Sequence, residues 1–455
     1  MAASLGVVRG LGLLAATSIV ISDVIGTGVF LKTRVITCNV GAPAMVLAVW
    51  VAAGGLSLAG ALTYAELAAM RPRSGGEYVF LRDAYGPLYG FLYGWTRFFV
   101  SNSGALAALA AGFAIFLNVV SGGGLGARAI QAVAIAAILA VTLMNSAAVS
   151  VGGRIATALT VVKTALILAV GAGAFLLARG DWAHFALAGG GGTCEGVGAA
   201  ARGGAAGFAA AMLGALWAYN GWNEVTYVAG EVKDPGRNLP RAIIGGISVV
   251  AALYVFANVA YLFVLPPHRL ASVPTSSTVA TEVVTSFLGP GAGRLMAGAL
   301  AASVFGTLQV ASLVMGRIPY AMAGDGLFFR SLGTVSPHTR VPVRALLAQA
   351  AWASVLVLSG TYDELTDYAI FSILIFVALT TGSVFVFRRR EPDTARPYRT
   401  TGYPVVPALF LVVAVWLIVN TVQTSPRQAV SGLALMALGL PFYAYWSRRS
   451  GGEAA

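Results

Sequence analysis

The stretch ISDVIGTGVF, residues 21–30, lies inside an apolar run that otherwise has the makings of a membrane helix. Gly26, Thr27 and Gly28 fall together near its middle. A second interruption, LWAYNGWNEV at 216–225, places Asn220 and Gly221 at a comparable depth in another apolar run. Unwinding a helix in mid-membrane frees N–H groups at the start of one half and C=O groups at the end of the other. Each costs several kcal/mol in hydrocarbon, so such a break survives only where it lines a cavity. An amino acid zwitterion is the complement: a carboxylate for the N–H cluster and an ammonium for the carbonyls. For the first break alone, close packing of small residues is an equal reading. The matched second break favours a midplane binding site.

The rest of the chain agrees with a membrane setting. Of 455 residues, 58% are hydrophobic and 10% charged, whereas soluble domains carry about 25% charged residues. Apolar runs of roughly membrane-crossing length are read at 11–36, 43–68, 87–119, 127–148, 153–178, 206–229, 240–265, 292–316, 341–359, 364–387, 404–423 and 428–446. The expectation is an all-α integral membrane protein of twelve spans in a single transmembrane domain, 1–455. Alternating ten-residue segments of a β-barrel do not occur. The start, MAASLGVVRGLGLL, runs on into the first span without a signal-cleavage pattern.

The net charge of +12 is distributed between apolar runs, with no basic helix or RNP-like aromatic motif, so nucleic acid is not an expected partner. With both termini inside, nineteen Lys and Arg residues fall on the inside and eight outside, and Arg97 and Lys163 lie within spans. The positive-inside rule therefore favours cytoplasmic N and C termini. The longer connections are 69–86 and 317–340 inside, and 179–205 and 266–291 outside. The Gly/Ala tract 187–204 reads as a flexible linker, because it lacks the strand–GxGxxG–helix setting of a nucleotide cradle. Two cysteines, Cys38 and Cys194, cannot make a disulfide framework or a Cys-based metal cluster. Both fall on the outside, which allows a bridge, though nothing in the sequence shows that they meet. No cofactor or metal is expected.

Lys163 sits near the middle of the fifth span, about ten residues or roughly 15 Å from either headgroup region. An ionisable group at that depth is a functional candidate. It can serve as a fixed cation against the unwound carbonyls of the first span, or as a proton-coupling site. Asp23 lies one turn before Gly26. It can pair with Lys163, meet a cationic substrate or carry a proton. Arg97 reads as a snorkelling side chain, and Glu66 and Glu224 as structural groups near span ends. Trp217, Tyr219, Trp222 and Asn223 surround the second break and are candidate gate residues, with interface belts as the plain alternative.

The motifs GTGVF at 26–30, YAELAAMRPRSGGEYVFLRDAYGPLYGFLYGW at 64–95 and WAYNGWNEVTYVAGEVKDPGRNLPRAI at 217–243 resemble the amino acid–polyamine–organocation superfamily. The chain is most similar to its L-type amino acid transporter branch and bacterial relatives, with support from Lys163 and GRIPYAMAGDGLF at 316–328. The resemblance implies a LeuT-type 5+5 inverted repeat with broken helices 1 and 6, the first repeat at 11–178 and the second at 206–387. Helices 11 and 12 would then occupy 404–446. It implies that backbone N–H groups of Gly26, Thr27 and Gly28 receive a substrate carboxylate. Carbonyls near Val24 and Ile25, and around Trp217, Ala218 and Tyr219, would receive the amine. Trp217 matches a gate residue and Asn223 a polar residue near substrate. Lys163 takes the place of a second sodium ion, with Ser303 and Thr307 as partners across from the first span. Asn220 stands where relatives often have Gly or Asp, which leaves side-chain specificity open. Animal members of the branch bond a partner glycoprotein through a cysteine between spans 3 and 4. Segment 120–127 has none, so no disulfide-linked subunit is expected.

These readings converge on a sodium-independent amino acid transporter of the plasma membrane, a bacterial inner membrane being the natural setting. Neutral L-amino acids are the leading substrates. Mechanism stays open between exchange and proton symport, and protons remain candidate partners beside the amino acid and the lipid bilayer. The alternatives are a cationic amino acid or polyamine transporter, and a non-transporting amino acid sensor. No HExxH, GxSxG or His/Asp cluster supports an enzyme.

Overall fold

The computed structural model describes residues 7–275, 277–360, 362–424 and 426–451. Nine of its helices are long and apolar enough to cross a membrane, ten with one bent pair counted as a single span. That pair is α1 (Leu13–Val24) and α2 (Gly28–Val40), bent by 42° at the GTG break. Next come α3 (Pro43–Met70), the short α4 (Glu77–Tyr85), and α5 (Pro87–Thr96), which continues through a wide π-helical turn at Arg97–Ser101 into α6 (Asn102–Val120). Helices α7 (Ala127–Ala147) and α8 (Val149–Leu176) close the first half. Prolines at the first turns of α3 and α5 start those helices where no N–H is needed.

In the second half, α9 (Gly204–Ala218) stops at the second break and gives way to a tight 3₁₀ segment, Glu224–Glu231. The interruption expected within 206–229 is present, and beyond it the chain continues as 3₁₀ rather than α-helix. Gly221 holds φ +113°, and a Cβ there would sit 3.1 Å from the Asp23 carboxyl. Only glycine suits both the backbone angle and that approach. Helix α10 (Pro235–Val264) is followed by a single turn, α11 (Pro267–Leu270), then α12 (Val279–Leu288) and α13 (Ala292–Met315). Helix α12 corrects the reading of 266–291 as a plain connection. Its ten residues are apolar but too short to span a bilayer. Then follow α14 (Arg317–Gly324), α15 (Val343–Ser359), α16 (Tyr362–Arg390), α17 (Val405–Thr424), α18 (Pro426–Ala437) and α19 (Gly439–Gly451). Among the described residues the one strand-like pairing is Leu11 with Val232. It stitches the entry to α1 onto the end of the 3₁₀ segment (Leu11 N–H to Glu231 O, 2.9 Å).

Helices α1, α3, α9 and α10 pack on one another, with α3 against α10, α1 against α10 and α2 against α9. A second group forms around α6, α7, α8, α13 and α15, and the two meet where α1 lies on α8 and α13. At one end, α4 and α14 are cross-linked by the Tyr78 hydroxyl, which donates to Asp325 at 2.7 Å. Burial, reinforced by the Asp325 carboxylate, pushes the Tyr78 phenol up, so it remains a donor there. At the other end, the tract read as a flexible linker is instead tied down. Cys194 is bonded to Cys38 of α2, Arg34 donates to Glu195 O at 2.6 Å, and Gly203 N–H reaches Asn39 O.

Candidate functional site

The two breaks meet. Gly28, the first residue of α2, lies so close to the end of α9 that a Cβ on it would fall 2.5 Å from Ala218 Cβ. Beside this contact is a cavity of about 170 Å³. Its walls carry Asp23, Val24, Gly26, Thr27 and Gly28 from the first break, and Trp217, Ala218, Asn220, Gly221 and Glu224 from the second. Thr307 and Val304 of α13 and Ala105, Ala108 and Gly112 of α6 complete it. The small α6 residues were not singled out from sequence, because alanine and glycine in a membrane helix look like ordinary packing.

At the first break the Gly26 N–H turns back to Val24 O at 2.8 Å. The leading N–H groups of α2 lack intrahelical acceptors, as at any helix N-terminus, and they carry the positive end of its dipole toward the cavity wall at Gly26–Gly28. On the carbonyl side the structure adds a residue that sequence reading missed. The Tyr254 hydroxyl of α10 lies 2.9 Å from Val24 O and 3.1 Å from Ala218 O, bridging the last turns before the two breaks. A lone tyrosine in an aliphatic helix gives no sign of such a role.

Ile25 is placed differently. It is buried away from the cavity, and its carbonyl accepts from Lys163 Nζ at 2.7 Å and from Thr307 Oγ1 at 3.0 Å. Lys163 also donates to Ser22 O and to Thr307 Oγ1, both at 2.6 Å. Three donor bonds match the three protons of an ammonium, and they tie α1 to α8 and α13. Ser303 is buried one turn before Thr307, with its hydroxyl receiving no partner. Tyr219 turns from the cavity to pack on Trp50 and Tyr254, its hydroxyl on Trp50 O. Trp217 stays at the cavity with the Lys32 ammonium over its ring at 4.6 Å. Asn220 opens onto this cavity and onto a neighbouring, mainly apolar one of about 150 Å³. Asn223 lines the neighbouring cavity and donates to Glu77 at 2.8 Å.

Two readings are overturned. Arg97 does not snorkel: it is buried on the π-helical turn and paired with Glu224 at 2.6 Å. Glu224 is in turn no span-end group but part of the cavity wall, which it shares with Asp23. Asp23 and Glu224 thus share one cavity, while Lys163 directs its donors elsewhere. Behind Glu224 runs a buried polar network. Glu77 accepts from Tyr64, Tyr93, Asn223 and Tyr227, and Arg97 also donates to Tyr227. Deeper still, Arg317 and Glu231 form a fully buried two-pronged pair at 2.8 and 2.9 Å. No group of three or more His, Cys, Asp or Glu side chains arranged to hold a metal occurs among the described residues.

The family model described as "Amino acid permease" matches residues 11–440. The serine/threonine exchanger SteT of Bacillus subtilis is 31% identical over 96% of this chain and 97% of its own length. The b(0,+)-type amino acid transporter 1 of Mus musculus is 29% identical, covering 96% of this chain and 87% of its own. The large neutral amino acids transporter small subunit 2 of Homo sapiens is 29% identical, over 97% and 81% respectively.

Proposed function

The chain belongs to the amino acid permease family, a family of membrane transporters rather than enzymes, and on that premise we propose that it is a sodium-independent exchanger of neutral L-amino acids. Substrate binds in the cavity where the two breaks meet, and the observation that carries the reading is that meeting. The N-terminus of α2 and the last residues of α1 and α9, Val24 and Ala218, line one small space, and Tyr254 bridges the carbonyls of those two residues; such a junction suits a carboxylate and an ammonium a few ångströms apart. Gly26, Thr27 and Gly28 receive the carboxylate, and Val24 and Ala218 the amine. Trp217 and Asn220 close over the side chain.

Sodium independence is supported by Lys163, whose ammonium takes the carbonyls of Ser22 and Ile25 and the Thr307 hydroxyl. A metal cation placed there would need those same oxygens. Exchange is supported by the likeness to the serine/threonine exchanger. We read the architecture as twelve spans in a LeuT-type 5+5 inverted repeat, 11–178 and 206–387, with 404–446 added. In this arrangement α1, α3, α9 and α10 rock against the group around α6, α8 and α13 to alternate access. The setting is the plasma membrane with both termini cytoplasmic. A disulfide-linked subunit is not called for, since the chain's two cysteines bond to one another.

A cationic substrate is the second reading, favoured by Asp23 and Glu224 in the cavity wall. Binding to purified protein tests the site. Gly26→Leu should abolish binding of labelled neutral amino acids while the protein stays folded, and intact binding would misplace the carboxylate site.

A further inference from the structure

We propose that Asp23 and Glu224 form a proton-binding site that opens onto the substrate cavity, one proton being held between the two carboxyl groups. Both residues line the same cavity, and the backbone brings them together there: a Cβ on Gly221 would lie 3.1 Å from Asp23 Oδ2, while the Gly221 carbonyl accepts from the Glu224 N–H at 3.0 Å. Two ionised carboxylates can only accept, so the pair can satisfy its free oxygens with one another only when a proton sits on one of them. Asp23 is only 8% exposed and Glu224 only 2%. Asp23 Oδ2 and Glu224 Oε2 receive no donor from the protein. Two like charges buried in one small cavity, each with an oxygen that lacks a donor, disfavour ionisation of both.

The neighbouring charges point the same way. Facing the pair are Lys163 from α8, with three donor bonds, and Arg97 from the π-helical turn, on Glu224 and Tyr227. Behind Arg97 lies Glu77, which accepts from Tyr64, Tyr93, Asn223 and Tyr227. Tyr254 from α10 and Thr307 from α13 are neutral. Fully ionised, Asp23, Glu224 and Glu77 oppose Lys163 and Arg97 with one negative charge in excess. The Arg317–Glu231 pair closes its own charge and contributes nothing. One proton on the pair restores balance, and a zwitterionic substrate with a neutral side chain leaves that balance untouched.

A consequence rests on the transporter reading. When rising pH removes the proton, the cavity is left with an uncompensated negative charge. Neutral substrates should then bind more weakly, by about tenfold per pH unit for one linked proton. A substrate ammonium on the side chain should bind more tightly, because it replaces the proton.

Infrared difference spectroscopy of the purified full-length protein during a pH change tests the proton itself. The expected result is a carboxylic acid C=O band that disappears on raising the pH and is missing from both Asp23→Asn and Glu224→Gln. Either substitution removes the excess negative charge, so the remaining carboxyl ionises. Absence of the band from the wild-type protein, or its survival in both variants, overturns the proposal. If one variant fails to fold, the wild-type spectrum and the other variant decide. The transport arm compares serine exchange, and its inhibition by lysine, across pH in proteoliposomes. The expected result is serine exchange falling and lysine inhibition rising with pH, with both dependences flattened in Glu224→Gln. A flat wild-type profile overturns the linkage to substrate. Failure to exchange or bind any amino acid would instead refute the transporter reading, and the infrared result would still decide the proton.

Discussion

Replacing Lys163 with methionine keeps the length of the side chain and removes its charge and donors. The three bonds it makes are not equivalent. Ile25 O retains Thr307 Oγ1 at 3.0 Å. Ser22 O has no such reserve, because the N–H of Gly26, four residues on, turns to Val24 O at 2.8 Å. One buried carbonyl is therefore orphaned, at about 1–3 kcal/mol. The buried carboxylates also lose the longer-range attraction of one of two nearby cations. Taking about 3 kcal/mol as the loss borne by the occluded arrangement, exchange should fall by about a hundredfold. The assay is labelled amino acid exchange in proteoliposomes with choline or sodium as the external cation, alongside thermal unfolding in detergent. Exchange near the wild-type rate, indifferent to pH and to sodium, would refute the fixed-cation role.

Three further outcomes follow from the geometry. Gly28→Ala puts a methyl group 2.5 Å from Ala218 Cβ, so the two breaks must separate, and calorimetric binding of neutral amino acids should weaken by more than tenfold. Arg97→Met leaves Glu224 and Tyr227 without their buried cation and should lower stability by about 3–5 kcal/mol, read as a lower melting temperature in detergent; Arg97→Lys should recover part of it. Cys38→Ser opens a covalent loop closed across 156 residues, which should cost about 2–5 kcal/mol. Exchange by the folded fraction should be retained, and a reducing agent should lower the wild-type melting temperature by a similar amount and leave the variant's unchanged.

The two breaks were legible because they combine glycine with polar residues inside runs that are otherwise all apolar. Lys163 stood out by depth alone. What the sequence hid was register and partnership. Arg97 lies on a π-helical turn that advances the side-chain pattern by one residue, and its partner Glu224 is 127 residues away. Glu224 itself looked like a structural group near the end of the 206–229 run, whereas α9 ends at Ala218 and the tighter 3₁₀ path beyond the break keeps it in the cavity wall. Tyr254 is hidden for the opposite reason, since nothing distinguishes its hydroxyl from that of an interface tyrosine until α10 is packed against both breaks. Helix α12 escaped because ten residues, VATEVVTSFL, satisfy no membrane-length criterion. The two cysteines could be placed on one side of the bilayer by topology, but their meeting depends on how the 187–204 tract folds back over α2.

The central claim is that an amino acid occupies the cavity between the breaks and is exchanged without sodium. Proteoliposomes preloaded with unlabelled neutral amino acids and empty ones, both in sodium-free buffer, should be offered the same labelled amino acids. The account predicts accumulation in the preloaded vesicles, little in the empty ones, and no change when sodium replaces choline outside. Uptake that appears only with an inward sodium gradient would contradict it.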